Sequence, residues 1–146
     1  MLLYWAALLL VAADQVSKQL ILIFLTLGES LPVLPDIFHL TTVHNTGIAF
    51  GLFQKNPHLL TLLIGICVLL LLVFSRRVVR ESLLERLAYG LILGGALGNL
   101  IDRVRFGWVI DFLDFRIWPV FNLADSGITI GVILFAWKIL FVRQEQ

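Results

Sequence analysis

Charged residues and cysteines are scarce in this chain. Asp, Glu, Lys and Arg make up 14% of its 146 residues, whereas a soluble domain of this size carries about a quarter. The single cysteine, Cys67, excludes a disulfide framework and a CxxC redox or zinc pattern, and its place in an apolar helix predicts an inert thiol. A net charge of +1 without a basic tract gives no indication of nucleic-acid binding. The sequence has no HExxH motif or Cys/His cluster with metal spacing, so neither a metal nor another cofactor is expected.

Long apolar runs take up most of the chain, which is 60% hydrophobic. Crossing a bilayer takes roughly 20 mainly apolar residues. Four segments are long enough: residues 2–27, 58–74, 87–103 and 121–141. We therefore predict an all-α integral membrane protein, with one domain over residues 1–146 and four transmembrane helices. The first segment is not typical of a cleaved signal peptide, because it has no positively charged start and is interrupted at residues 14–18.

The loops between these segments predict the orientation of the chain. Basic residues on the side of both termini outnumber those on the opposite side, which predicts cytoplasmic termini by the positive-inside rule. The first group is Arg76, Arg77, Arg80, Arg86, Lys138 and Arg143, and the second is Lys55, Arg103, Arg105 and Arg116. Residues 75–86 are then a solvated cytoplasmic loop, and residues 28–57 and 104–120 are external loops.

The first external loop is long and not featureless. Phe38, Leu40 and Val43 predict short β structure, and prolines and glycines around them predict turns. A loop of this length is typically a lid or a binding loop, and its Phe50 and Phe53 are placed to enter lipid. The second external loop carries Trp108 and Trp118, which suit the membrane interface.

The rare polar residues of three predicted spans fall at one depth, near the external surface. An ionisable group at membrane depth is costly unless it is paired or faces a polar cavity. Because three predicted helices each carry such groups at the same depth, we predict that these groups line a shared polar pocket. These residues are Asp14 and Lys18 in the first span, Asn99, Asp102 and Arg103 in the third, and Asn122 and Asp125 in the fourth.

Two carboxylates, Asp111 and Asp125, dominate the chemistry expected of this pocket. Two close aspartates cannot both ionise cheaply, so one keeps a proton while the other acts as a general base on water. Such a pair can hydrolyse an amide without a covalent intermediate. For Asp114 we expect only a structural role, with Arg116 nearby.

Other chemistries remain open at this point. His39, His44 and His58 all lie in or beside one loop, so no Ser-His-Asp arrangement can be nominated. Ser17 or Ser126 with Lys18 leaves room for Ser-Lys chemistry. A carboxylate-lined proton or ion path in a small transporter, and a non-catalytic membrane assembly factor, are the two rival functions. Asp14 with Lys18 also fits a polar clasp between helices.

Five motifs in this chain resemble those of the bacterial lipoprotein signal peptidase (signal peptidase II) family. They are DQVSK at residues 14–18, NTGIAFG at 45–51, GALGNLIDR at 95–103, VIDF at 109–112 and FNLADS at 121–126. The resemblance covers the whole chain. It departs from the family slightly at Ile48 and Gly51, where small or polar residues are common.

The resemblance implies a four-helix aspartyl endopeptidase of the bacterial inner membrane that works without a cofactor. Its implied partners are membrane lipids and diacylglyceryl-modified prolipoproteins, which it cleaves on the amino side of the lipidated cysteine, and we expect it to be monomeric. The catalytic pair of the family falls on Asp111 and Asp125. Supporting or substrate-binding positions fall on Asp14, Lys18, Asn45, Gly47, Asn99, Asp102, Arg103, Asn122 and Ala124. Of these, we expect Asn45 and Asn122 to bind the unwound substrate backbone, and Asp102 with Arg103, like Asp14 with Lys18, to brace the scaffold.

Overall fold

The computed structural model contains four long helices and a small sheet, and it describes residues 1–47, 56–78 and 82–141. Expectations for Ile48, Phe50, Gly51, Phe53, Lys55, Arg80 and Arg143 lie outside the described residues. The elements in chain order are α1 (Leu2–Phe24), β1 (Ser30–Leu34), β2 (Phe38–Asn45), α2 (Pro57–Val78), α3 (Leu83–Phe106), β3 (Val109–Asp114) and α4 (Leu123–Phe141).

Among the described residues, three helices are long and apolar enough to cross a membrane: α1, α2 and α4. The fourth helix, α3, covers the third predicted span but ends in a polar stretch that contains Asn99, Asp102 and Arg103. These three side chains are buried, because α3 packs against α1, α2 and α4. Because α3 has protein neighbours on several sides, its surface does not need to be apolar all round.

Small residues let α3 approach its neighbours closely. A Cβ added at Gly94 would lie 2.7 Å from the carbonyl oxygen of Ala7 in α1, and one at Gly131 of α4 would lie 2.6 Å from that of Ala88 in α3. In a membrane, helices associate through such close backbone packing, since lipid is as apolar as their side chains. The glycines of α3 and α4 therefore set the spacing of the helix bundle.

The connection between α2 and α3 is much shorter than the predicted loop of residues 75–86. Helix α2 continues to Val78, and α3 begins at Leu83 behind a capping box between Ser82 and Glu85. Ser75 is buried rather than solvated and lies 3.0 Å from the hydroxyl of Tyr4 in α1. The predicted loop was thus wrong at both of its ends, which are helical, because helical hydrogen bonding extends past the apolar run.

The expected β structure of the first external loop is confirmed, and a third strand joins it. The sheet is antiparallel in the order β1-β2-β3. Strand β3 comes from the second external loop, where we expected no strand, and its Asp111 is the register partner of Val43 in β2. Strand β2 also ends at Asn45 opposite Val109, so the sheet carries two of the predicted site residues to one place.

Replacing Gly94 with alanine should lower the thermal stability of the protein. The new Cβ would press on the backbone of Ala7 at 2.7–2.9 Å, and overpacking of this kind typically costs about 1–3 kcal/mol. Gly65→Ala in α2 is the matched control, because its Cβ would meet no atom within 4 Å. Unfolding of the purified protein in detergent, followed by circular dichroism, would measure both. Equal midpoints for the two variants would contradict the close contact between α1 and α3.

Candidate active site

Asp111 is buried on β3, and amide donors hold both of its carboxylate oxygens. The Nδ2 of Asn122 donates to Oδ1 at 2.6 Å, and the Nδ2 of Asn45 donates to Oδ2 at 2.8 Å. The Oδ1 of Asn45 in turn accepts from the backbone N–H of Gly47 at 3.1 Å, which fixes the orientation of that amide. Asn45 and Gly47 therefore act on Asp111 together.

Asp125 lies in the first turn of α4, where it forms a capping box with Asn122. The backbone N–H of Asp125 donates to Oδ1 of Asn122 at 2.9 Å, and Oδ2 of Asp125 accepts from the backbone N–H of Asn122 at 3.3 Å. This reciprocal pattern satisfies helix N–H groups that have no partner inside the helix. It also directs the Nδ2 of Asn122 to Asp111, so one asparagine ties the two aspartates together.

Both aspartates line one cavity of about 460 Å³. Its polar wall also includes Asn45, Asn99 and Arg103, and the Nδ2 of Asn99 donates to Oδ1 of Asp125 at 2.7 Å. Burial and the charge of Asp125 together raise the pKa of Asp111 to about 7, against the hydrogen bonds from Asn45 and Asn122. The predicted polar pocket thus contains two carboxylates, of which Asp111 keeps a proton up to about pH 7.

A cluster of buried ions lies behind this cavity. The ammonium of Lys18 is 2.8 Å from Asp14 and 2.8 Å from Asp102, and all three side chains are at most 1% exposed. The predicted i,i+4 pair of Asp14 and Lys18 is confirmed. The Nε2 of Gln15 also donates to Oδ1 of Asp102 at 2.8 Å. Gln15 was not predicted as a site residue, although it lies within the DQVSK motif.

The ion cluster is connected to both aspartates of the cavity. Lys18 donates to Oδ1 of Asn99 at 3.2 Å, and the other end of that amide holds Asp125. Asp14 accepts from the backbone N–H of Ala124 at the start of α4, at 3.0 Å. The structure thus brings Ala124 into the site through its backbone.

Asp102 links the same cluster to the strand that carries Asp111. Its Oδ2 accepts from the backbone N–H of Ile110 at 3.2 Å. Asp102 therefore holds the backbone one residue before Asp111. Asp14 does the same one residue before Asp125. Movement of either carboxylate would displace a catalytic candidate.

Arg103 does not form the brace with Asp102 that the sequence suggested. Its guanidinium donates to the carbonyl oxygen of Gly47 at 2.8 Å and to that of Asn99 at 3.4 Å, while Asp102 pairs with Lys18. Arg103 is 7% exposed, and its Nε has no hydrogen-bond partner among the described residues. A buried donor without a partner is costly, so this N–H is a candidate for contact with a bound molecule.

The two serines considered as alternative nucleophiles are both bonded to their own helices. The hydroxyls of Ser17 and Ser126 donate to backbone carbonyls of their own helices at 2.8 and 2.9 Å. The ammonium of Lys18 contacts Asp14, Asp102 and Asn99 rather than either hydroxyl. These contacts leave Ser-Lys chemistry without support.

Three further expectations concern Cys67, Asp114 and the ligands of a metal site. Cys67, which we expected to be inert inside an apolar helix, is exposed and lines the cavity. The expected pairing of Asp114 with Arg116 is confirmed at 3.0 Å, and Asp114 also accepts from Thr41 at 2.8 Å. Within residues 1–47, 56–78 and 82–141, no three His, Cys, Asp or Glu side chains are grouped to hold a metal ion.

Replacing Lys18 with methionine should strongly destabilise the fold. The substitution leaves Asp14 and Asp102 buried without their cation, and removing one partner of a buried ion pair costs about 3–5 kcal/mol. Arg116→Met is the matched control, because Arg116 is 48% exposed and such surface pairs contribute about 0–1 kcal/mol. Thermal unfolding in detergent would compare them. Similar midpoints would show that the ion cluster does not hold the helices together.

The matching family model is described as Signal peptidase (SPase) II and covers residues 6–141. The lipoprotein signal peptidase of Moorella thermoacetica is 49% identical over 96% of this chain and 93% of its own length, and that of Halothermothrix orenii is 46% identical over 92% and 94%. A solved structure of a bacterial membrane enzyme superposes with a TM-score of 0.87 and 34% identity, over 97% of this chain and 91% of its own. This chain therefore belongs to the signal peptidase II family.

Proposed function

We propose that this protein is an intramembrane aspartyl endopeptidase that removes the signal peptide from diacylglyceryl-modified prolipoproteins, on the amino side of the lipidated cysteine. One observation carries the aspartyl mechanism: Asp111 and Asp125 come from different elements but line the same cavity, with Asn122 bonded to both. The membership in the signal peptidase II family supports the substrate class.

The reaction needs one proton on the pair. A water molecule attacks the scissile carbonyl carbon and gives a proton to the ionised carboxylate, while the protonated carboxyl gives its proton to the carbonyl oxygen. When the tetrahedral intermediate collapses, a proton passes to the leaving amide nitrogen and the pair again holds one proton. The pKa of about 7 at Asp111 supports retention of that proton near neutral pH.

The substrate must be unwound locally before it can react. A helical amide is shielded by its own hydrogen bonds, and freed backbone groups at membrane depth need polar partners. The Nε of Arg103 can offer a donor to such a carbonyl, since it has no partner among the described residues. Asn45 and Asn122, which we expected to bind the substrate backbone, instead direct their amide donors to Asp111.

We propose that α1, α2, α3 and α4 all cross the bacterial inner membrane as one domain over residues 1–146, and that the protein acts as a monomer. Arg76 and Arg77 at the end of α2 and Lys138 at the end of α4 support cytoplasmic termini. The sheet and the two aspartates are then near the external face.

A lateral opening between α2 and α4 offers a route for a signal helix. Among the described elements, the backbone of α2 lies within 8 Å of α3 alone. The catalytic cavity is lined by Ile64 and Cys67 of α2 and by Ile128 of α4, so it lies at this opening. A substrate helix arriving from the bilayer could reach the aspartates there without crossing a polar surface.

Asp111→Asn and Asp125→Asn should each abolish cleavage of a lipidated prolipoprotein by the purified protein, because the pair needs one acid and one base. Since the two residues act as a unit, the double variant should be little worse than either single variant. Asp114→Asn, also on β3, is the control and should keep most activity, because Asp114 pairs with Arg116 outside the cavity. Substantial turnover by either single variant at matched protein levels would remove that residue from the pair.

The cleavage rate should show a bell-shaped dependence on pH. Because the pKa of Asp111 is raised to about 7, the pair keeps a proton below that pH and loses it as the pH rises through that value. The rate should therefore fall on the alkaline side of about pH 7, and again in acid when both carboxyls are protonated. Initial rates at saturating substrate would measure this, with folding monitored in parallel. A rate that stays flat well above pH 7 would favour a single general base.

A further inference from the structure

A second cavity, of about 620 Å³, lies beside the catalytic cavity. We call it the aromatic groove, because its wall is formed by Phe115, Ile117, Trp118 and Phe121 from the segment between β3 and α4, together with Ile130 of α4. Asp125 lines both cavities, as do Trp118, Phe121 and Thr129. A molecule bound at Asp125 can therefore extend into either of them.

The two cavities differ in the hydrogen-bonding groups that they offer. The aromatic groove contains two hydroxyls, but that of Ser126 donates to the carbonyl of Asn122 at 2.9 Å and that of Thr129 to the carbonyl of Asp125 at 2.8 Å. Apart from Asp125 itself, its remaining described lining is apolar. The catalytic cavity, by contrast, presents the guanidinium of Arg103, whose Nε has no hydrogen-bond partner among the described residues, and the carboxylate of Asp111.

This difference decides which part of a substrate suits each cavity. An extended peptide leaves its backbone N–H and C=O groups free, and burying them without partners costs several kcal/mol in total. A hydrocarbon chain has no such groups and gains free energy from an apolar wall. The peptide is thus matched to the catalytic cavity, and a hydrocarbon chain to the aromatic groove.

We propose that the aromatic groove binds an acyl chain of the diacylglyceryl group carried by the substrate cysteine. The proposal rests on the proposed function, which places the lipidated cysteine next to Asp125. From there the peptide preceding the cysteine follows the catalytic cavity, and one acyl chain follows the groove.

The position of the groove suits entry from the bilayer. Ile117 is 93% exposed and Trp118 is 63% exposed, so the rim is open and apolar. Tryptophan is enriched at the membrane interface, where its ring lies between headgroups and acyl chains. An acyl chain can therefore enter the groove while its glycerol ester stays at the level of the aspartates, which would fix the depth and register of the scissile amide.

The first test uses labelling and does not depend on turnover. A prolipoprotein with a photoreactive diazirine near the end of an acyl chain is bound to Asp125→Asn and irradiated, and the labelled residues are mapped by mass spectrometry. We expect labels within residues 115–130. Labels concentrated on α2 around Ile64 and Cys67 would overturn the proposal, because the acyl chain would then occupy the catalytic cavity. Labelling that free membrane lipid abolishes in competition would also overturn it, since the groove would then be a general lipid site.

The second test fills the groove. Ile130→Trp should lower kcat/KM about tenfold or more for a substrate with two hexadecanoyl chains, because excluding only two methylene groups from an apolar site has about that effect. For a substrate with two acetyl groups, wild type and variant should be alike. Ile133→Trp is the matched control: Ile133 is on the same helix and similarly exposed, at 59% against 50%, and lies outside both cavities.

These experiments distinguish a failure of the proposed peptidase function from a failure of the proposed acyl-chain site. If wild type does not cleave the lipidated precursor, the proposed function itself is wrong. If wild type cleaves it and Ile130→Trp slows both substrates equally, or neither of them, the groove does not bind the acyl chain although the peptidase assignment stands. The control variant checks that a large ring on α4 does not by itself disturb the enzyme.

Discussion

The placement of Lys18 between Asp14 and Asp102 is the constraint on which the rest of the site depends. Charges buried at membrane depth must be paired, and here one ammonium satisfies two carboxylates on different helices. Each carboxylate also accepts from a backbone N–H group, that of Ala124 for Asp14 and that of Ile110 for Asp102. The start of α4 and the strand β3 are thereby fixed relative to α1 and α3. The positions of Asp111 and Asp125 follow from that arrangement.

The geometry of the proposed catalytic pair also uses ordinary helix capping. A helix N-terminus has backbone N–H groups without partners, and Asn122 with Asp125 satisfies two of them reciprocally. The capping bond fixes which end of the Asn122 amide faces Asp111, and the turn at Gly47 does the same for Asn45. Two asparagines are therefore positioned by local backbone structure before they contact the aspartate. Substituting either one would be expected to disturb orientation as well as charge.

The sequence predicted the features that depend on residues close together in the chain. Four helices followed from apolar runs, and the pair of Asp14 and Lys18 followed from i,i+4 spacing. Partners distant in the chain were harder to predict: Asp102 was assigned to its neighbour Arg103, whereas helix packing brings it to Lys18. Strand β3 was missed because it forms only by pairing with β2. The contact of Cys67 with the cavity was missed because it depends on which face of α2 meets α3.

The distribution of charge explains why a proton can remain on the proposed catalytic pair. Lys18 is shared by Asp14 and Asp102, so its charge is already balanced by two carboxylates. Arg103, the other buried cation of the site, gives its hydrogen bonds to the carbonyls of Gly47 and Asn99. Asp111 has neutral amides as its hydrogen-bond partners. Amide donors orient a carboxylate without supplying the full charge that would force it to ionise, and burial with the repulsion of Asp125 then raises its pKa to about 7. A direct ammonium partner at Asp111 would hold the same geometry but would remove the proton that the reaction needs.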